Sequence, residues 1–272
     1  MEPVRYYLNG LKKKIRYFLS SERKELARIK KKPRYQKGRT DIFGFDFTFV
    51  DSASFLSQYS EIFTKRILSF ETKNKQPYII DCGSNIGVSI LYFKKIHPNA
   101  EIIGFEPDKN IFLTLKENIT NSNLTTISLL NKGLWKKEGK IYFNEEGADG
   151  GSILEKVNCH SLNTKTVEIE IISLRQYLNK PVDFLKIDIE GAESVVLEDC
   201  KDLLKNVQRI FVEFHSKIDD IQNLGCILNI LTTSGFRYYI ESGSSIFSFH
   251  PFIKRRLLNN YDNLLSVFAY RD

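Results

Sequence analysis

No stretch of this chain gathers the roughly 18 consecutive apolar residues that a membrane-crossing helix needs, so no spanning segment is expected. The first residues also lack the apolar core and cleavage pattern of a secretory signal. The four cysteines (Cys82, Cys159, Cys200 and Cys226) stand far apart, with no C-x-x-C pair. That spacing argues against a zinc site and a disulfide framework, and reduced thiols in a cytoplasm account for it most simply. No G-x-G-x-x-G occurs, so the loop that seats a dinucleotide pyrophosphate is missing. Internal repeats are absent too, and compositional bias is confined to a basic N-terminal arm.

What is present is an ordinary globular composition, with 42% apolar and 27% charged residues in 272. That length suits one domain of about 230 residues with an appendage. The net charge of +7 is unevenly placed. Residues 1–40 hold fourteen Lys and Arg against Glu2, Glu22 and Glu25, a local +11, whereas residues 41–272 carry 26 basic and 30 acidic groups. Within the arm, Tyr7, Leu8, Leu11, Ile15, Phe18 and Leu19 recur every three or four positions, with Lys12, Lys13, Lys14 and Arg16 between them. This is the pattern of a basic amphipathic helix. Docking on the domain with solvated lysines is one expectation, and peripheral contact of residues 5–32 with anionic lipid at the inner membrane surface is another. Nucleic acid is the least favoured partner. Pro33 ends the helix, residues 33–40 read as a linker, and residues 41–272 as the domain.

Along the domain, residues 41–50 read as a hairpin around Gly44 and residues 52–71 as a helix. Strands are expected at 78–81, 101–106, 125–130, 139–144, 166–172, 182–189, 208–214, 236–241, 246–249 and 264–270, with helices at 86–97, 109–121, 173–179, 192–204 and 221–233. Residues 144–165 read as a lid-like loop. The alternation implies a doubly wound, mainly parallel α/β sheet with an antiparallel C-terminal strand. Ligands in such sheets bind beyond the carboxyl ends of the strands.

Those ends carry the charge. In Lys186-Ile187-Asp188-Ile189-Glu190-Gly191-Ala192-Glu193, read as a continuing strand, Lys186, Asp188 and Glu190 share one face. In Arg209 to His215, Glu213 and His215 share one. Buried charges on a parallel sheet are costly unless paired or used, so these residues are expected to form an active-site rim. Asp81-Cys82-Gly83-Ser84-Asn85-Ile86-Gly87 follows a strand and opens a helix. Gly83 there allows close approach of a ligand, and Gly87 allows tight packing of helix on strand. Glu106 ends the next strand, where a carboxylate accepts both ribose hydroxyls of a nucleoside.

Three segments resemble the FkbM-type S-adenosylmethionine-dependent methyltransferases: Ile80 to Gly87, Gly104-Phe105-Glu106-Pro107-Asp108, and Val182 to Glu193. Leu130-Asn131-Lys132-Gly133-Leu134 and Glu213-Phe214-His215 are similar to further stretches of that family, so the likeness covers roughly residues 77–216. Cys82 replaces a small aliphatic residue, and Ser173 to Tyr177 stands where the family reads Leu-Asp-Asp. The resemblance implies a Rossmann-like class I methyltransferase fold and methyl transfer from S-adenosylmethionine to a hydroxyl of a sugar, glycan or other hydroxylated metabolite. The cofactor is then expected at Asp81, Cys82, Gly83, Ser84, Asn85, Gly87, Glu106, Pro107 and Lys132.

For the chemistry, His215 is the preferred general base because its ordinary pKa lies nearest neutrality. Asp188 is the second choice, and Lys186 pairs with the carboxylates or steadies an alkoxide. Glu190 and Glu213 complete the catalytic set. Asp188, Glu213 and His215 form an alternative ligand set for magnesium or manganese, which is not the favoured reading. His97, His160 and His250 are given no role. Two other readings stay open: a nicotinamide-dependent oxidoreductase, given the spacing of Glu106 beyond the glycine loop, and a non-catalytic lipid- or nucleic-acid-binding module.

Overall fold

The computed structural model describes residues 21–148, 151–154, 165–217, 221–242 and 261–271. The amphipathic stretch Tyr7 to Leu19, the strand expected at 246–249 and His160 lie outside these residues.

Helix α1 occupies residues 21–30. It is followed by β1 (Gly38–Thr40), β2 (Phe47–Phe49), α2 (Ser52–Tyr59), β3 (Tyr78–Cys82), α3 (Val88–Ile96), β4 (Glu101–Phe105), α4 (Lys109–Asn121) and β5 (Ile127–Leu130). After these come β6 (Gly133–Leu134), β7 (Gly139–Glu145), β8 (Ser152–Leu154), β9 (Lys165–Ile172), β10 (Phe184–Ile187), α5 (Glu193–Cys200), β11 (Arg209–Lys217), α6 (Leu224–Thr233), β12 (Arg237–Ser242) and β13 (Tyr261–Tyr270). Seven strands form the main sheet in the order β12-β13-β11-β10-β3-β4-β5. The run from β11 to β5 is parallel throughout, and β13 is antiparallel to both β11 and β12.

Strand alternation divides the core in two. Ile80, Leu185, Ile187 and Val212 face α5 and α6, whereas Ile79, Phe184 and Phe211 face α3, α4 and the N-terminal elements. Every residue of β3 and β10 is buried, as expected for parallel strands covered on both faces. The direction of winding reverses between β3 and its neighbours β4 and β10, which opens a crevice at their carboxyl ends.

Several local expectations are corrected. The hairpin does not turn tightly on Gly44, because its first strand, β1, comes from the stretch read as a linker. Residues 21–40 pack on the domain: Ile29 is fully buried, and Glu22 accepts a hydrogen bond from the Tyr59 hydroxyl at 2.8 Å. The helix from Ser52 does not reach residue 71. It widens into a π turn at Ser60–Thr64, with Lys65 N–H bonded to the Ser60 carbonyl at 2.8 Å. Stacking of Tyr59 on Phe63 at 5.3 Å, within a cluster that includes Phe43 and Phe55, holds that turn. The expected helix at 173–179 is a single 3-10 turn, Leu174–Tyr177, and the last part of the one at 192–204 is also 3-10. Residues 149–150 and 155–164 of the stretch read as a lid lie outside the described residues, while Ser152–Leu154 form β8 of a second sheet, ordered β6-β9-β7-β8. Its apolar face (Trp135, Phe143, Ile169 and Ile171) packs over Ala192 at the start of α5. A three-residue strand such as β8 carries too little periodicity to be read from sequence.

Candidate active site

On the face that packs against α3 and α4, the apolar strand residues give way to charge toward the carboxyl ends. Ile79 is followed by Asp81, Phe184 by Lys186 and Phe211 by Glu213. The β3–β10 register sets Lys186 beside Asp81. The Lys186 ammonium lies 3.0 Å from Asp188 Oδ2 and 3.4 Å from Asp81 Oδ1, and donates to the Gly83 carbonyl at 2.9 Å. Asp81 Oδ2 accepts from Ser89 Oγ at 2.6 Å. Burial opposes a charged lysine, but Asp188 and Asp81 outweigh it and hold the Lys186 pKa above its usual value. Asp188 meets the same opposition, and there Lys186 and His215 keep the carboxyl below its usual range. The result is a buried cation shared by two carboxylates at the mouth of the glycine turn.

β10 ends at Ile187, so Glu190 does not continue the pleat as expected. It adopts left-handed backbone (φ 56°) ahead of Gly191 (φ 104°), and this turn brings its Oε2 to 3.5 Å from His215 Nε2. Glu193, which the sequence pattern does not single out as a site residue, holds the turn together. One carboxylate oxygen accepts from Gly191 N–H at 3.0 Å and Ile189 N–H at 3.4 Å, and lies 3.0 Å from His215 Nδ1. Burial disfavours an imidazolium, yet Glu190 and then Glu193 raise the His215 pKa well above its ordinary value. Glu213 is pushed the other way for a carboxyl: burial first, and then the charge of Asp188, raise it well above its usual range. Glu61, carried by the π turn, also has a raised pKa through burial and the neighbouring Asp188 charge.

Ligand atoms of Asp188, Glu213 and His215 all lie within 4.8 Å of one another. The expected catalytic residues, Lys186, Asp188, Glu190, Glu213 and His215, are therefore brought together.

The expected cofactor residues divide. Glu106 Oε2 accepts from Asn85 N–H at 3.0 Å and Oε1 from Asp108 N–H at 2.9 Å. Each carboxylate oxygen keeps a further lone pair for a hydroxyl donor, which fits a ribose diol. Burial raises the Glu106 pKa to about 8. Asn85, itself left-handed (φ 47°), donates from its side chain to the Ala148 carbonyl at 3.0 Å and so ties the glycine turn to the second sheet. Asn131 fixes the end of β4 by donating to the carbonyls of Glu106 and Pro107 at 2.9 and 3.0 Å. Ser84 is buried, with its Oγ donating to the Asp81 carbonyl at 3.1 Å.

Four of the expected cofactor positions also have structural contacts of their own. The Cys82 side chain points into the apolar core, so only its backbone belongs to the turn. Gly83 is required by the strand next door, since a Cβ there would collide with the Asp188 carbonyl, and its φ of 85° suits glycine. A Cβ on Gly87 would meet Leu115 of α4, so that glycine serves helix-on-helix packing. Lys132 pairs with Glu170 of the second sheet at 3.2 Å.

The model of the FkbM methyltransferase domain matches residues 81–238, more than half of the chain. Methyltransferase sdnD of Sordaria araneosa is 30% identical over 55% of this chain and 71% of its own length. The hexuronic acid methyltransferase AglP of Haloferax volcanii is 29% identical over 56% of this chain and 62% of its own. Among solved structures, an FkbM methyltransferase from Methylobacillus flagellatus superposes with a TM-score of 0.49 at 17% identity, over 77% of this chain. The chain spans 47% of that protein's length. The glycine turn and both charged strand ends fall inside the matched segment, and the chain belongs to the FkbM methyltransferase domain family.

Proposed function

We propose that this chain is an S-adenosylmethionine-dependent O-methyltransferase whose acceptor is a hydroxyl of a sugar, glycan or similar hydroxylated metabolite. The observation that carries this reading is the placement of Glu106, with two backbone-held oxygens, on the same edge as the Lys186–Asp188 pair. The first suits a nucleoside diol, and the second a reacting hydroxyl. The similarity to a hexuronic acid methyltransferase supports an oxygen acceptor, because a hexuronic acid offers only oxygen nucleophiles.

S-adenosylmethionine, when bound, supplies a methyl group on a sulfonium, which is already a good electrophile. What the chain must add is alignment and proton removal. Alignment of bound partners is worth several kcal/mol of the barrier, and a positioned base adds roughly 10²–10⁴-fold. Asp188 is assigned that base in place of His215. His215 already has Glu193 at Nδ1 and Glu190 at Nε2, whereas Asp188, beside Lys186, has its pKa held below the usual carboxyl range. A weak base suffices, since the acceptor proton becomes strongly acidic as the new C–O bond forms. Glu213, whose raised pKa favours its protonated form, donates a hydrogen bond to the Asp188 carboxylate, and His215 keeps Glu190 and Glu193 in place.

Calorimetric titration with S-adenosylhomocysteine tests the donor site. Micromolar binding with no response to NAD is expected, and NAD binding without S-adenosylhomocysteine binding would put the oxidoreductase reading in its place. Once an acceptor is found, Asp188→Asn should slow turnover by about 10²–10⁴-fold while leaving donor affinity within a few-fold. Unchanged turnover would remove Asp188 from the role.

A further inference from the structure

We propose that Asp188, Glu213 and His215, with Glu190 beside them, bind one divalent cation of the manganese or magnesium kind. The proposal deepens the methyl-transfer reading and rests on it for a purpose: such a cation would hold an acceptor oxygen and make its hydroxyl more acidic.

The spacing is the first argument. One donor atom from each of the three residues lies within 4.8 Å of the other two. Ligands about 2.1 Å from a shared octahedral ion stand about 3 Å apart when adjacent and about 4.2 Å apart when opposite. A single ion between the three side chains meets both limits after small side-chain adjustments. Glu190 Oε2, 3.5 Å from His215 Nε2, is at the distance of an adjacent ligand.

The orientation of the imidazole supplies a second argument that does not depend on that spacing. Metal-bound histidines characteristically donate their other ring nitrogen to an outer carboxylate, which fixes ring orientation. Glu193 does this for His215: it is 1% exposed, is held by two backbone N–H groups, and lies 3.0 Å from Nδ1. The ring is thereby turned so that Nε2 faces Glu190, on the side of the cluster.

Charge is the third argument. The short contacts of the Lys186 ammonium go to Asp81, Asp188 and the Gly83 carbonyl, on the glycine-turn side. The carboxyls of Asp188 and Glu213 share a hydrogen bond beside Glu190 and His215, and a divalent ion there would take the place of the proton between them and of any proton on His215 Nε2. Oxygen ligands with a single imidazole suit manganese or magnesium, and the imidazole favours manganese. The position, at the carboxyl ends of two adjacent parallel strands, is where ligands bind in this kind of sheet.

The test uses manganese chloride alone as probe, titrated into the purified full chain and followed by calorimetry and by the spin-resonance signal of free manganese. One saturable site per chain is expected without any acceptor. Glu213→Gln should abolish it, with His215→Gln as an independent removal of a ligand. Glu193→Gln leaves every ligand in place and should weaken manganese binding roughly 10–100-fold. S-adenosylhomocysteine titration of each sample verifies the fold and reports on the donor site separately. Protein that binds S-adenosylhomocysteine but shows no saturable manganese overturns the cation site and leaves the methyl-transfer reading standing. Undiminished manganese binding in both ligand variants overturns it as well. Manganese bound through Glu213 and His215 without any S-adenosylhomocysteine binding supports the cation site and sinks the methyl-donor reading instead.

Discussion

Removal of charge at Glu106 should expose how the donor site is coupled to pH. The side chain is buried and its pKa is pushed up to about 8 from an ordinary 4.5. Between those values the folded protein holds a proton that the unfolded chain has released. The associated stability is fully present below about pH 4.5 and is lost as pH rises to about 8, at about 1.4 kcal/mol per unit. For a chain of this size that slope is worth roughly 3–5 °C in Tm per pH unit. In Glu106→Gln the slope should vanish, so the Tm difference between wild type and variant should shift in the variant's favour from pH 5.5 to 7.5. Binding runs the opposite way. If a ribose diol donates to the carboxylate, Glu106 must first lose its proton. Affinity for S-adenosylhomocysteine should then rise about tenfold per unit as pH approaches 8, and level off above it. Calorimetry at pH 7 in two buffers of different ionisation enthalpy should detect close to one proton released per ligand bound. A flat pH profile, or an identical slope in Glu106→Gln, would refute both the raised pKa and the diol contact.

Lys186→Met should strand Asp81 and Asp188 beside each other without their shared cation. Loss of one partner from such a buried group costs about 3–5 kcal/mol, and denaturant unfolding that moves by less than 1 kcal/mol would contradict the assigned network. Gly83→Ala should express poorly or unfold early, since it combines a φ of 85° with a collision against the Asp188 carbonyl; a variant of wild-type Tm would show that the turn has more room than described. Asp51 caps α2, accepting from Ser54 N–H at 3.0 Å, and also binds Arg34 at 2.9 Å. Asp51→Ala should lose at least the ~0.5–2 kcal/mol of a cap, and an unchanged denaturation midpoint would count against that role.

The alternation of strands and helices, the parallel sheet and the charged strand ends were legible in the chain because each rests on local pattern: apolar runs for strands buried on both faces, and charges placed where those runs stop. The Lys186–Glu193 octet pointed to the same edge, and the expected catalytic residues do converge there. Roles were less legible than places. A histidine's ordinary pKa favoured His215 as base, but its partners Glu190 and Glu193 come from a left-handed turn that strand periodicity could not foresee. Glu61 lies within a stretch that reads as plain helix, and its place on the π turn, where burial and the Asp188 charge raise its pKa, is not visible in the sequence. The glycines show the same division. Their positions in the motif predicted a tight turn, while the reason Gly83 tolerates nothing larger is the carbonyl of Asp188, about a hundred residues further along the chain. Sequence alone determined which residues could bear charge or bend. Tertiary structure decided which charges meet, because burial and distance set protonation, and neither exists until strands far apart in the chain lie side by side.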